Sequence, residues 1–241
     1  GGRSATRIAE KLGIESKMVD GRRITDEETL KVVTMVYGGL VNKNIVAGLQ
    51  ARGVNALGLT GADCNIITAH KRPVKSIDYG FVGDVDCADG DMLSRLIEQG
   101  ITPIVAPLTH DGKGTILNTN ADTIASSVAT AMANYKYRTR RDVCCRCEEC
   151  THCCDDGRLT HETELIYCFE KDGVLYDKND DSSVIEEIDR LRFEELKAEG
   201  RVADGMIPKL INSFKAIDSG VARVIIKHAR NLLNNKGTTL V

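Results

Sequence analysis

The chain has 241 residues, 42% hydrophobic and 28% charged, with a formal charge of −3 and an isoelectric point near 6.0. That is enough apolar material for one large core or two small ones, which excludes a wholly disordered chain, and the near-neutral balance leaves no basic footprint for nucleic acid. No run of about 18 apolar residues and no basic-then-apolar leader is visible, so neither a membrane span nor a signal peptide is expected, and the default compartment is the cytoplasm. There the nine cysteines read as thiols or ligands before disulfides.

In chain order, Arg3 to Leu12 places Ile8, Ala9 and Leu12 on one side of a short helix that Gly13 stops. From Thr25 the run "TDEETLKVVTMVYGGLVNKNIVAGLQARGV" predicts one or two helices, with Thr25 as cap and "YGG" as a break or a close-contact point. "NALGL" is a short strand, and the turn residues and alternation around "GFVGDV" predict a β-hairpin region. A helix over 91–99, a strand "ITPIVAPL", a hairpin through "THDGKGTIL" and a helix opening at "NADTIASSVATAMA" follow.

Residues 135–161 read as an insertion, since without them "ATAMAN" runs through a connection of ordinary length into the buried-strand pattern "ETELIYCF". Beyond lie helical segments over 183–188 and 191–199, the helix "DGMIPKLINSFKAIDSG" with Gly220 as its stop, and "VARVIIKH" as the last strand. Apolar strands alternating with amphipathic helices argue for an α/β fold, a mostly parallel sheet with helices on both faces.

Several short stretches carry chemistry. "DGMIPK" puts Lys209 in the first turns of a helix, where unpaired N–H groups and the positive end of the dipole favour an anion such as a transferring phosphate. A surface lysine on an amphipathic helix is the alternative. "NTNAD" offers Asn118, Asn120 and Asp122 as a strand turns into a helix, with Asp122 either a ligand-side carboxylate or an early-turn helix acid. Gly1 and Gly2 before a helix let backbone N–H groups approach an anion, and "DGRRIT" supplies paired arginines whose forks can hold a carboxylate or remain solvated.

Taken together, "GGRSATRIAEKLGI", "VDGRRITDEETLKVV", "GGLVNKNIVAGL", "GLTGAD", "GFVGDV", "LNTNADTIA", "CFEKDGVL", "DGMIPKL" and the terminal "GTTLV" resemble, in order, the N-acetylglutamate kinases of the amino acid kinase superfamily, in their Bacteroidetes-type form. The resemblance covers nearly all of the chain except 135–161. It implies an αβα sandwich around a mostly parallel sheet, usually a homodimer, that phosphorylates the γ-carboxylate of N-acetyl- or N-succinyl-L-glutamate with ATP and Mg2+. This is a phosphotransferase reaction with a carboxyl group as acceptor, the second step of arginine biosynthesis. By the same resemblance residues 1–134 bind the N-acylglutamate and residues 162–241 bind ATP.

Position by position, the resemblance gives Gly1 and Gly2 as the last two glycines of the family's "HGGG" loop. Arg23 becomes the holder of the α-carboxylate, Asn118 a substrate-binding amide, Asp122 the organiser of the catalytic lysines and Lys209 the lysine on the ATP phosphates. Glu170, Lys171, Asp172, Gly173, Val174 and Leu175, with Arg201, Val202 and Ala203, match adenine- and ribose-side segments. The chain starts inside "HGGG", so the family's first strands and a second phosphate lysine are not in it; by the resemblance, weak or no turnover is expected of this chain taken alone.

The cysteine-rich stretch "DVCCRCEECTHCC" holds six of the nine cysteines. It is too compact for two zinc knuckles, and although Cys147, Cys150 and Cys153 repeat a ferredoxin-type spacing, the fourth position is Gly157. It reads first as an insertion with no specific function, with zinc, or an iron–sulfur or redox role, as the alternatives. A catalytically impaired homologue with a metal-binding or regulatory role is the competing class of function. Cys64, Cys87 and Cys168 read as small buried apolar residues. "DKNDDSSVIEEI" lacks the turn glycine and the final Glu of a calcium loop, and "GDVDCADGD" has the wrong spacing, so both read as solvated loops.

Overall fold

The computed structural model describes residues 1–19, 22–135, 162–177, 179–202 and 206–241. The first helix, α1 (Gly2–Lys11), packs its Ala5 and Ala9 against a long helical run. That run comprises α2 (Glu27–Val33), a wide π-type turn (Thr34–Val41) and α3 (Asn42–Gln50). "YGG" therefore does not break the helix: it sits in the wide turn, where Gly38 lies against Leu108 and Thr60. By length and mean hydropathy Glu27–Gln50 could cross a bilayer, but here Val32, Val33 and Val36 turn inward against α1 and Leu108.

Thr25 is not the cap of α2. Asp26 is, its carboxylate accepting from the Thr29 N–H at 2.8 Å, because Thr25 is drawn aside into a bridge with Gly80. The same device opens α4 (Gly90–Glu98) at Asp89, α5 (Ala121–Ala133) at Asn120 and α6 (Arg190–Ala198) at Asp189.

The strands are short and both parallel and antiparallel. β1 (Met18–Val19) and β2 (Arg22–Arg23) pair antiparallel beside α1. β3 (Ala56–Leu59) pairs parallel with β6 (Thr102–Val105); α3 leads into β3, and α4 lies in the connection from β3 to β6. β4 (Ile67–Lys71) pairs antiparallel with β5 (Gly83–Ala88) and parallel with β7 (Leu108–His110), which pairs antiparallel with β8 (Ile116–Asn118). The hairpin expected around "GFVGDV" is thus real, with "ITAHK" as its partner.

In the C-terminal part the order is β10-β12-β11-β9. β9 (Glu164–Phe169) runs parallel to β11 (Arg223–His228), which is antiparallel to β12 (Thr238–Leu240), itself parallel to β10 (Glu187–Ile188). α6 and α7 (Ile207–Asp218) cover this sheet.

Two expectations fail here. Residues 183–188 are extended, not helical: Val184 bridges Leu175 and Ile188 pairs with Leu240, so β-branched side chains go to a sheet edge. "VARVIIKH" is also not the last strand, because Thr238–Leu240 adds β12.

The core has three clusters. One joins α1 to the long helical run, one lies between β3, β4, α4 and α5, and one fills the C-terminal sheet and its helices. α5 belongs to two of them: Ile124, Val128 and Met132 face one, Ala125, Ala129 and Ala133 the other. Cys64, Cys87 and Cys168 are exposed rather than buried, a correction to the sequence reading. Cys168 shows why: in β9, Leu165 and Tyr167 face the core, and the alternation turns Cys168 outward.

A candidate active site at two helix N-termini

A cavity of about 460 Å³ opens where the N-termini of α1 and α5 approach each other, and Gly1, Gly2, Arg23, Arg72, Asn118 and Asn120 are among its lining residues. Four residues far apart in sequence and singled out for substrate contact, Gly1, Gly2, Arg23 and Asn118, therefore share one space. Helix first turns leave N–H groups without intrahelical partners and carry the positive end of the dipole. α1 starts at Gly2 without a side-chain cap, so its first N–H groups are open to an anion.

Among the described residues, Arg23 is fixed without being neutralised. It donates from Nη1 to Ser16 Oγ at 2.7 Å, and from Nη2 to Thr6 Oγ1 at 2.8 Å and the Gly2 carbonyl at 3.3 Å, all uncharged acceptors. Arg72 differs: it is forked onto Asp84, whose carboxyl this hydrogen bonding holds below the usual carboxylate range. Asn118, at the end of β8, donates to Thr25 Oγ1 at 3.0 Å.

The floor beneath is close-packed. A Cβ on Gly83 would stand 2.6 Å from Thr119 Oγ1 and 2.8 Å from Thr109 Oγ1, hydroxyls that bond each other at 2.8 Å. Only glycine lets the β4–β5 hairpin seat on β8 at this point.

Beside Asn120 and Ala121, Asp122 in the first turn of α5 meets Lys209 in the first turn of α7, with Oδ2 and Nζ 2.8 Å apart. The Lys209 side chain is 11% exposed and that of Asp122 39%. Pro208 suits a helix start, but a cation there is opposed by the helix dipole, and Asp122 offsets that cost. The Lys209 ammonium also lies 4.3 Å from the centre of the Tyr167 ring and 6.0 Å from that of Phe169. Tyr167 donates its hydroxyl to the Asp122 carbonyl at 3.0 Å, and burial first, then the Asp122 charge, pushes its phenol up.

On the C-terminal side the segment 170–175 is tied to its surroundings residue by residue. Glu170 pairs with Arg3 of α1 at 2.8 Å and Lys171 with Asp181 at 2.6 Å. Asp172 accepts from Arg230 at 3.2 Å and Asn231 at 3.1 Å, and the Arg230 hydrogen bond leads in holding its carboxyl below the usual range. A Cβ on Gly173 would meet Thr238 Oγ1 at 2.6 Å, and the Val174 N–H donates to that same hydroxyl at 2.7 Å. Leu175 bridges Val184, Val202 is buried, and Arg201 lies over the Tyr176 ring at 4.7 Å, so the two sequence-distant segments meet at Tyr176.

Ala203 and the cysteine candidates Cys147, Cys150 and Cys153 lie outside the described residues. Among the described residues no group of three or more His, Cys, Asp or Glu side chains could hold a metal ion.

Sequence reasoning missed Arg72, Tyr37, Tyr167 and Tyr176. Tyr37 lies beside Gly1 from within a helix, and Arg72 follows β4, a strand buried at Ile67 and Ala69; neither carries a local signal. The sequence marks β9 as a buried-strand run, but neither its alternation nor what Tyr167 touches was read from it.

The uncapped first turn of α1, a guanidinium held by uncharged oxygens and a carboxylate-held lysine suit the handling of an anion on an α/β scaffold, and residues 1–135 match the amino acid kinase family. The chain belongs to that family. Within it the relatives are acetylglutamate kinases: that of Bacteroides thetaiotaomicron is 58% identical over 240 residues, covering all of this chain and 84% of the relative. That of Phocaeicola vulgatus is also 58% identical with the same coverage. Among solved structures, the protein smu.665 from Streptococcus mutans superposes with a TM-score of 0.76 at 26% identity, over all of this chain and 83% of that one.

Proposed function

We propose that this kinase transfers the γ-phosphoryl group of ATP to the γ-carboxylate of an N-acylglutamate, N-acetyl- or N-succinyl-L-glutamate, giving the acyl phosphate and ADP as the second step of arginine biosynthesis. The observation that carries the reading is the Lys209–Asp122 pair at two helix N-termini, next to a cavity lined by Arg23, whose guanidinium is held by hydroxyls and a carbonyl. In this reading Arg23 and Asn118 hold the α-carboxylate end of the substrate. The N–H groups at Gly1 and Gly2 face the transferring phosphoryl group. Segments 170–175 and 201–203 hold the nucleoside end of ATP.

The mechanism follows from charge. A carboxylate oxygen forms a bond to the γ-phosphorus while the bond from that phosphorus to the bridging oxygen breaks, and the electron pair leaves with ADP. The nucleophile is already ionised near neutral pH, so no general base is needed. What the site supplies is alignment and positive charge around the transferring group. Lys209 meets the oxygens of the phosphate chain, and Asp122 keeps the ammonium at the junction of α5 and α7. Mg2+, brought with the nucleotide, would neutralise phosphate charge.

The division of labour is 1–134 for the acylglutamate and 162–241 for ATP, in a cytoplasmic homodimer. Exposed Met35 and Leu40 along the helix 27–50 support a dimer face. A coupled assay of ADP release on the full-length reading frame, with N-acetyl- and N-succinylglutamate offered separately, tests the reading. Turnover with one of them is expected, and none with either would sink it.

A further inference from the structure

We propose that Tyr167 is a positioning residue for phosphoryl transfer: its ring face and its hydroxyl together fix Lys209 and Asp122 in the geometry the reaction uses. This rests on the reading of that pair given above. Lys209 carries its charge on a flexible four-carbon stem and sits at the helix end whose dipole repels it. One ion pair to a 39% exposed carboxylate defines a distance but not a direction.

Tyr167 supplies what is missing. It is 4% exposed, in the middle of a strand paired along its whole length with β11, so its ring has no freedom to leave. The ammonium lies 4.3 Å from the ring centre, within cation–π range, which gives one side of the ammonium a fixed electronegative floor. The phenolic O–H, donating to the Asp122 carbonyl at 3.0 Å, ties the first turn of α5 to the same ring. One side chain thus touches both halves of the pair, from an element that belongs to neither helix. Phe169, two residues on and on the same strand face, puts a second ring at 6.0 Å.

The test separates ring electronics from packing. Tyr167→Phe keeps the ring face, and pentafluorophenylalanine incorporated at 167 keeps the shape while reversing the charge distribution of that face. The expected result is a kcat about three- to tenfold lower for Tyr167→Phe, which loses the bond to the Asp122 carbonyl, and a further fall of at least about tenfold for the fluorinated ring, with KM for the acylglutamate nearly unchanged. In a Lys209→Met background the two ring variants should be indistinguishable. Equal kcat for the two rings with Lys209 present, or an equal loss in both backgrounds, overturns the proposal, since a merely structural tyrosine would behave so. Full activity of Lys209→Met alone would instead refute the reading of the pair, a separate outcome. Both ring variants conserve volume, and their thermal midpoints report whether the fold is kept.

Discussion

The cavity side of the site and the 170–175 side treat charge in opposite ways. Around the cavity, Arg23 is held by three uncharged oxygens and the first turn of α1 is left uncapped, so positive potential is kept available. Along 170–175 each charged side chain is already matched, Glu170 to Arg3, Lys171 to Asp181, Asp172 to Arg230, and the rest is backbone and buried Val174. Under the proposed function, the contrast separates the side where an anion would be recognised from the side where shape would suffice. A small dicarboxylate needs free cations, while a nucleoside end is neutral and is gripped by packing.

The sharpest way to break this contrast is to remove the cation at the junction. Lys209→Met should lower kcat by about a hundred- to a thousandfold, the cost of losing one preorganised charge partner of the transferring group, measured by steady-state ADP release. Arg23→Ala should instead act through binding, raising KM for the acylglutamate by about ten- to a hundredfold, with KM for ATP little changed and Arg23→Lys intermediate. On the matched side the effect should be smaller. Asp172→Ala removes two hydrogen bonds to the 230–231 turn and should raise KM for ATP by about three- to tenfold, leaving KM for the acylglutamate alone. A loss as large as that from Lys209→Met would erase the distinction between the two sides.

The smallest expected effect concerns stability. Asp84 has its carboxyl lowered by Arg72, below its ordinary 3.8, so its stabilising contribution is present above that value and is lost as pH falls through the lower folded value. The thermal midpoint of Asp84→Asn should therefore lie below that of the parent at neutral pH, and the gap should close as pH drops below about 4. A gap that persists to pH 2 would mean that packing, not charge, is what Asp84 contributes.

Much of the fold was legible because period and punctuation agree with packing in α1, α4, α5, α7, β9 and β11. The misreadings arose where tertiary pairing decides. Residues 183–188 have helical acids, yet Ile188 is taken by β12, a partner some fifty residues away in sequence that no local pattern announces. Thr25 has the chemistry of a cap, but a bridge to Gly80 claims it. Of the site, Lys209, Asp122 and Arg23 were visible in short motifs, since the first two stand at helix starts and the third in an arginine pair, whereas Arg72 was not. The aromatic floor was not, because a ring over an ammonium is a relation between a strand and a helix that meet only in the folded chain.

The two stripes of α5 have a practical meaning for heat. Alanines face one core and larger side chains the other, so neither core can loosen without releasing the helix whose first turn presents Asn120, Ala121 and Asp122. Melting of either part should therefore extinguish catalysis at once. Residual activity after brief heating then becomes a gauge of the whole molecule's integrity, and no warm, half-open species that still turns over is expected.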